Sequence, residues 1–140
     1  MDVKELRIGN LVKDDECIIV VVEALSGDNA LVNGYGENEV LFSKKGYPNV
    51  LFESEIYPIK LTEEILLKCW FKYESNHDWY ELNVNNITLS INCDGETYYY
   101  DDEEFMWVHI LKTTEYLHHL QNLYFALTGQ ELDISQLINN

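Results

Sequence analysis

An α+β fold follows from three observations. Cys17-Ile18-Ile19-Val20-Val21-Val22 is a run dominated by β-branched residues and the strongest strand signal in the chain. Ile87-Thr88-Leu89-Ser90-Ile91-Asn92 alternates strictly between apolar and polar, the period of a strand with one buried face. Leu117, Leu120, Tyr124 and Leu127 recur at helical spacing, so the chain closes on an amphipathic helix. Together they predict a small SH3-like β-barrel or bent sheet over 1–60, then, over 61–140, a short helix, an antiparallel sheet and a C-terminal helix packed on it. The two halves are expected to form one compact unit.

Taken in order, Val3 to Val12 reads as an arm entering a first strand, with Gly9-Asn10 as the turn. The run from Cys17 to Leu25 is the second strand. Ser26-Gly27-Asp28-Asn29 turns it into a return strand at Ala30 to Asn33. Short strands are predicted at Glu39 to Ser43, Val50 to Phe52 and Ile56 to Ile59, with the breaker Lys44 to Asn49 between the first two. Pro58 ends the strand region. Thr62 then caps a helix reaching Lys68 or Cys69, whose first turn carries Glu63 and Glu64 at the positive end of the dipole, with Leu61 and Leu66 as a hydrophobic staple.

The second half resumes with strands at Trp70 to Glu74, Trp79 to Leu82, Ile87 to Asn92, Thr97 to Tyr100 and Phe105 to Leu111, giving a sheet of four or five strands. Tyr116, Leu123 and Ala126 widen the apolar stripe of the closing helix, and Gly129 is its natural C′ residue. A further turn is predicted between Glu131 and Leu137.

Composition narrows the function classes. A 140-residue chain with 46% hydrophobic residues, ten Tyr, five Phe and three Trp has the material for a core. Its 25 acidic residues against 9 basic, with Arg7 the single arginine, give a net charge of -16. A field of that sign repels nucleic acid and anionic membrane and suits a basic partner or a mimic of DNA. Dispersal of the acids from Asp2 to Asp133 equally fits plain solubility. Three cysteines at wide spacing, with no CxxC pair, argue against a disulfide framework or a zinc site. With no apolar leader and no membrane-length run, a reducing cytoplasm is the expected compartment.

No motif supplies an obvious reaction. His118 and His119, with His109 and His77 nearby in sequence, invite a metal reading, but adjacent helical residues point about 100° apart and neither has a histidine four residues away. A surface or capping role is expected for them, and no metal or other cofactor. His118, Asn122 and Phe125 share a strip opposite the leucines that is free to meet the N-terminal half or a partner. The run Asp101 to Glu104 and the turn Asp94-Gly95-Glu96 lack the calcium-loop pattern and read as solvated acidic loops. No serine lies in a G-x-S-x-G context, and Gly34-Tyr35-Gly36 lacks the rest of a dinucleotide fingerprint, so the expectation is a protein that is not an enzyme. The aromatic residues clustered between Trp70 and Trp107 alternate faces along their strands, so about half lie outside any single core. Tyr99 is expected to point away from Tyr98 and Tyr100.

Three segments carry a family resemblance: Lys4 to Val12, Pro58 to Leu66, and the closing Leu117-His118-His119-Leu120-Gln121-Asn122-Leu123-Tyr124-Phe125-Ala126-Leu127-Thr128-Gly129. The chain resembles a family of small phage and prophage proteins of gut bacteria whose close reads Tyr-Val-His-Gln-Leu-Gln-Asn-Leu-Tyr-Phe-Ala-Leu-Thr-Gly; Leu117 and His119 depart from it. The resemblance carries no residue roles. A phage origin implies a counter-defence factor acting in the infected bacterial cell.

The leading expectation is therefore a non-enzymatic protein that sequesters a small nucleotide-type immune signal. Lys4, Arg7, Lys44, Lys45 and Lys60 would supply charge for phosphate, Trp79, Tyr99 or Trp107 the stack for a base, and His118 and Asn122 polar contacts. A homo-oligomer is expected with it. The alternative is an acidic protein-interaction module or DNA mimic that inhibits a host defence protein.

Overall fold

The structure is a computed structural model and describes residues 1–27, 29–34, 49–110 and 113–138. It is α+β, with two antiparallel sheets. The first has strand order β1 (Leu11–Lys13), β2 (Ile19–Ser26), β3 (Asn29–Gly34) and β4 (Asn49–Phe52). The second runs β5 (Lys72–Glu74), β6 (Trp79–Val84), β7 (Ile87–Asn92), β8 (Thr97–Asp101) and β9 (Met106–Ile110). Each strand pairs with the next in sequence, the simplest antiparallel topology. No helix among the described residues is long and apolar enough to cross a membrane.

The N-terminal sheet is open among the described residues, where a closed barrel was one expectation. After β4 a 3₁₀ turn, Glu53–Glu55, carries the chain back, and the residues expected as a strand at Ile56 to Ile59 make one antiparallel bridge, Lys13 to Tyr57. The strand expected at Glu39 to Ser43 lies outside the described residues, as do Lys44 and Lys45. Val12, Val20, Val22, Ala30, Val32, Leu51 and Ile56 pack as the core of this half, with Val3 and Leu6 of the opening arm over them.

The other face of the same strands belongs to a second cluster. Leu11 joins Leu89 and Ile91 of β7 and Leu117, Leu120 and Tyr124 of the long helix α2 (Leu117–Thr128), with Ile19 and Val21 packed alongside. That helix is thus held against strands of both halves. Its Gln121 is 1% exposed and spends its amide on the edge of β1 away from β2, beyond the Lys13–Tyr57 bridge: Oε1 accepts from the Leu11 N–H at 2.9 Å, and Nε2 donates to the Gly9 carbonyl at 3.1 Å. An unpaired strand edge buried without such a partner would cost stability.

Local signals explain the remaining elements. α1 (Glu63–Lys68) starts where the Thr62 hydroxyl accepts from Ile65 N–H at 3.3 Å, and Leu66 buries its inner face. α2 stops at Gly129, which takes φ 70°, a conformation that glycine adopts without a Cβ clash. The short helix α3 (Ser135–Ile138) is the predicted extra turn.

Candidate functional site

Strand parity divides the aromatic residues of the second sheet. Tyr99 lies opposite Leu89 and Val108 and packs on the buried cluster beneath α2. Its neighbours Tyr98 and Tyr100 project to the opposite face, as alternation requires, where Tyr98 pairs with His109 and Tyr100 with Trp107. Trp79 completes a continuous surface there. Its ring centroid lies 5.1 Å from that of Trp107 and 6.0 Å from that of Tyr98, while Tyr100 lies 5.1 Å from Trp107. His109 stacks on Tyr98 at 4.6 Å, and His77 lies against Trp79 at 4.6 Å. Among the three stacking candidates, Trp79 and Trp107 are therefore together on the outer face, whereas Tyr99 lies on the opposite face, partly buried against the cluster.

This face is half open to solvent and rimmed by carboxylates. Trp107 is 44% exposed, and the turn beside it presents Phe105 at 80%. Phe105 sits at φ 51°, in the left-handed region that bulky side chains rarely occupy. Asp102, Glu103 and Glu104 in the same turn are exposed, and Glu81 accepts the indole N–H of Trp79 at 2.7 Å.

A cleft of about 420 Å³ opens elsewhere, between the start of α1 and the β7–β8 turn. Lys60, Thr62, Tyr80, Asn92, Gly95 and Tyr116 line it, together with the carboxylates of Glu63, Asp94 and Glu115. Burial, then a hydrogen bond to Glu63, raises the Tyr80 phenol above its ordinary range, so it remains a donor. The lining brings three carboxylates against one ammonium, a poor environment for a phosphate.

Among the described residues, the predicted basic residues Lys4, Arg7 and Lys60 are not gathered into one site. Lys4 is exposed near Asp2 and Glu53 at the chain start, and Lys60 is at the cleft. Arg7 is committed within the molecule: its guanidinium makes two bonds to Glu131, at 2.6 and 2.8 Å, and lies 4.3 Å over the Phe125 ring. Glu131 raises the Arg7 pKa through that bond, and Arg7 in turn holds the Glu131 carboxyl below its usual range. Asn122 completes the junction by accepting from Arg7 Nε at 3.3 Å and Asn10 Nδ2 at 2.9 Å. The strip His118, Asn122 and Phe125 thus meets the N-terminal half.

His118 and His119 also depart from expectation. His118 is fully buried instead of lying on the surface. Adjacent on the helix, their rings nevertheless meet edge to face at 4.3 Å, and Glu5 from the opening 3₁₀ turn, Val3–Glu5, reaches both, with its Oε2 3.6 Å from His118 Nε2 and 3.4 Å from His119 Nε2. Among the described residues these are a trio whose ligating atoms all lie within 4.8 Å of one another, so the metal reading set aside on helical spacing returns through a third residue. Glu5 and His119 also line, with Thr114, Asn122 and Leu123, a second cavity of about 260 Å³. Sequence spacing gave no signal for Glu5, which is 114 positions from His119.

The chain is thus an α+β protein with an outward aromatic sheet face, an acidic cleft and a histidine pair of which His118 is buried and His119 partly exposed. No protein-family model, curated protein or solved structure matches it.

Proposed function

We propose that the protein is a non-enzymatic binding protein whose working surface is the outer face of the five-stranded sheet, and that it captures an arginine-bearing segment of a basic partner protein. The observation that carries this reading is the unbroken ring contact from Tyr98 through Trp79 and Trp107 to Tyr100, bordered by acidic side chains. Guanidinium groups stack on indole and phenol faces and pair with carboxylates, so such a surface selects arginine over lysine. The net charge of -16 adds long-range attraction for the same partner. This is the protein-interaction alternative of the sequence reading. Its counter-defence setting in a phage-infected cell rests on the family resemblance alone.

Sequestration of a nucleotide-derived signal is the second reading, favoured by the cleft with Lys60, Tyr80 and Tyr116 and opposed by its three carboxylates. A small SH3-like barrel for the N-terminal half is part of the same proposal; the 3₁₀ turn and the Lys13–Tyr57 bridge that return the chain to β1 support it.

Native mass spectrometry of the whole chain tests these readings together, with a twelve-residue arginine-rich peptide in one arm and a panel of cyclic and ADP-ribose-derived nucleotides in the other. The proposal predicts added peptide mass that is lost as salt is raised, and no nucleotide adduct. Nucleotide mass without peptide mass would replace it with the sequestration reading. The same spectra report whether the chain is the expected homo-oligomer.

A further inference from the structure

The trio of Glu5, His118 and His119 has the donor set, spacing and support of a metal site. Zn²⁺ takes imidazole nitrogen and carboxylate oxygen at about 2.0–2.2 Å in tetrahedral geometry, which places neighbouring donors about 3.3–3.5 Å apart. The two measured edges, Glu5 Oε2 to His119 Nε2 at 3.4 Å and to His118 Nε2 at 3.6 Å, are close to that value. The whole trio fits within 4.8 Å, so modest ring rotation closes the third edge. A carboxylate facing two imidazoles also offers charge compensation that two histidines alone would lack.

The positions of the donors are built into the fold. Asp2 caps the 3₁₀ turn that presents Glu5, accepting from Lys4 N–H at 2.9 Å. The Glu5 carbonyl accepts from Asn122 Nδ2 at 3.0 Å, and Asn122 is tied in turn to Asn10. Asn122 lies one helical turn beyond His118, so one face of α2 both provides a donor and fixes the residue opposite it. The Tyr116 ring is parallel to His118 within 8°, at 5.8 Å, and meets His119 edge-on at 5.3 Å, so it packs beside both imidazoles.

We infer that Glu5, His118 and His119 form a binding site for a first-row divalent cation, with Zn²⁺ the best fit, in which three protein donors leave the ion room for a further ligand from the adjoining cavity. Glu5 and His119 line that cavity of about 260 Å³, so water or a small anion has access to the ion. Three protein donors beside open space are the pattern of a zinc that exchanges ligands, whereas a structural zinc is enclosed by four. The site lies on the helix side of the molecule, apart from the aromatic face, and stands independently of the partner reading above.

Isothermal titration of the metal-stripped chain with ZnCl₂ tests it, with Glu5→Gln and His119→Gln as the principal variants because both side chains reach solvent. One Zn²⁺ per chain, weakened at least tenfold in each variant and unchanged in His109→Gln, is the expected result. His109→Gln removes an imidazole from the aromatic face and controls for adventitious binding there. Substitution with Co²⁺ supplies a second readout, an intense visible band from low-symmetry nitrogen and oxygen ligation that both variants abolish. Circular dichroism confirms that each variant is folded before titration. No heat of binding in the wild-type chain, or wild-type affinity retained in both principal variants, overturns the assignment.

Discussion

The two faces of the five-stranded sheet are made from the same strands and the same residue types, yet they are physically opposite. Beneath α2, Tyr80, Leu89, Ile91 and Tyr99 join a cluster in which Leu117 and Leu120 are almost wholly buried. On the other side Trp79, Tyr98, Tyr100 and Trp107 form a chain of ring contacts beside acidic turns, with Trp107 exposed and the other three half-buried. Burying a large apolar side chain stabilises a fold by about 1.5–3 kcal/mol, which accounts for the first face and leaves the second unexplained by folding. An aromatic surface maintained in water is better explained by recognition.

The largest contrast between enclosed and open positions concerns thiol chemistry. Cys69 lies in the cluster under α2, and burial, with a smaller push from Asp133, raises its thiol to about 12. Cys17 and Cys93 are exposed. Thiol labelling at pH 8 is expected to modify the exposed Cys17 and Cys93 promptly and Cys69 far more slowly, because the Cys69 thiolate fraction is about a thousandth of that of a thiol at the ordinary value of 9.0. Equal rates at all three would show that the helix does not seal this face. The raised thiol favours folding below the unfolded-state value near 9.0, and this contribution disappears as pH rises towards about 12.

Leu120→Ala removes a side chain with no exposed surface from the same cluster. It is expected to lower unfolding free energy by about 2–5 kcal/mol in urea denaturation. Gly95→Ala tests how the cluster is closed at one end. A Cβ there would lie 2.7 Å from the Thr113 side chain and 3.1 Å from the Thr114 carbonyl, at φ 79°. A loss of about 1–3 kcal/mol is expected, because backbone and side chain must both give way.

Those elements differ in how far the sequence disclosed them. Thr62 with Glu63 and Glu64 declares a helix start locally, and Ile87 to Asn92 declares a half-buried strand, because the physics of both is contained in a few consecutive residues. Parity within Tyr98-Tyr99-Tyr100 was equally legible. Which parity faces the helix was not, since that depends on pairing Tyr99 with Leu89 and Val108 in strands formed elsewhere. Arg7 looked like a free cation until Glu131, 124 residues away, paired with it. Glu5 was invisible as a partner for His118 and His119 for the same reason. Helical spacing within one element excluded chelation by two adjacent histidines and said nothing about a third donor arriving from the chain start.

Trp107→Ala, on the outer face, is expected to change stability by about 1 kcal/mol or less, the scale of its ring contacts with Trp79 and Tyr100. A loss as large as that of Leu120→Ala would mean that the outer face is core and would undo the comparison. The smallest effect lies outside both faces. Glu131→Gln removes a partly exposed ion pair with Arg7 and should cost about 0.5 kcal/mol or less. Because Arg7 lowers the Glu131 pKa from 4.5, the pair stabilises the wild type above that pH and the benefit is lost as pH falls through the folded-state value. The wild-type and variant stability curves should therefore converge in acid.

The central claim, that the outer sheet face is a recognition surface, is tested most directly by tryptophan fluorescence. Wild type and Trp107→Ala are each titrated with the arginine-rich peptide at low salt, using Tyr99→Phe as a core control. Saturable quenching at micromolar peptide in wild type and in Tyr99→Phe, with affinity at least tenfold weaker in Trp107→Ala, is the predicted result. Equal affinity in all three proteins, or no saturable change in wild type, would contradict it.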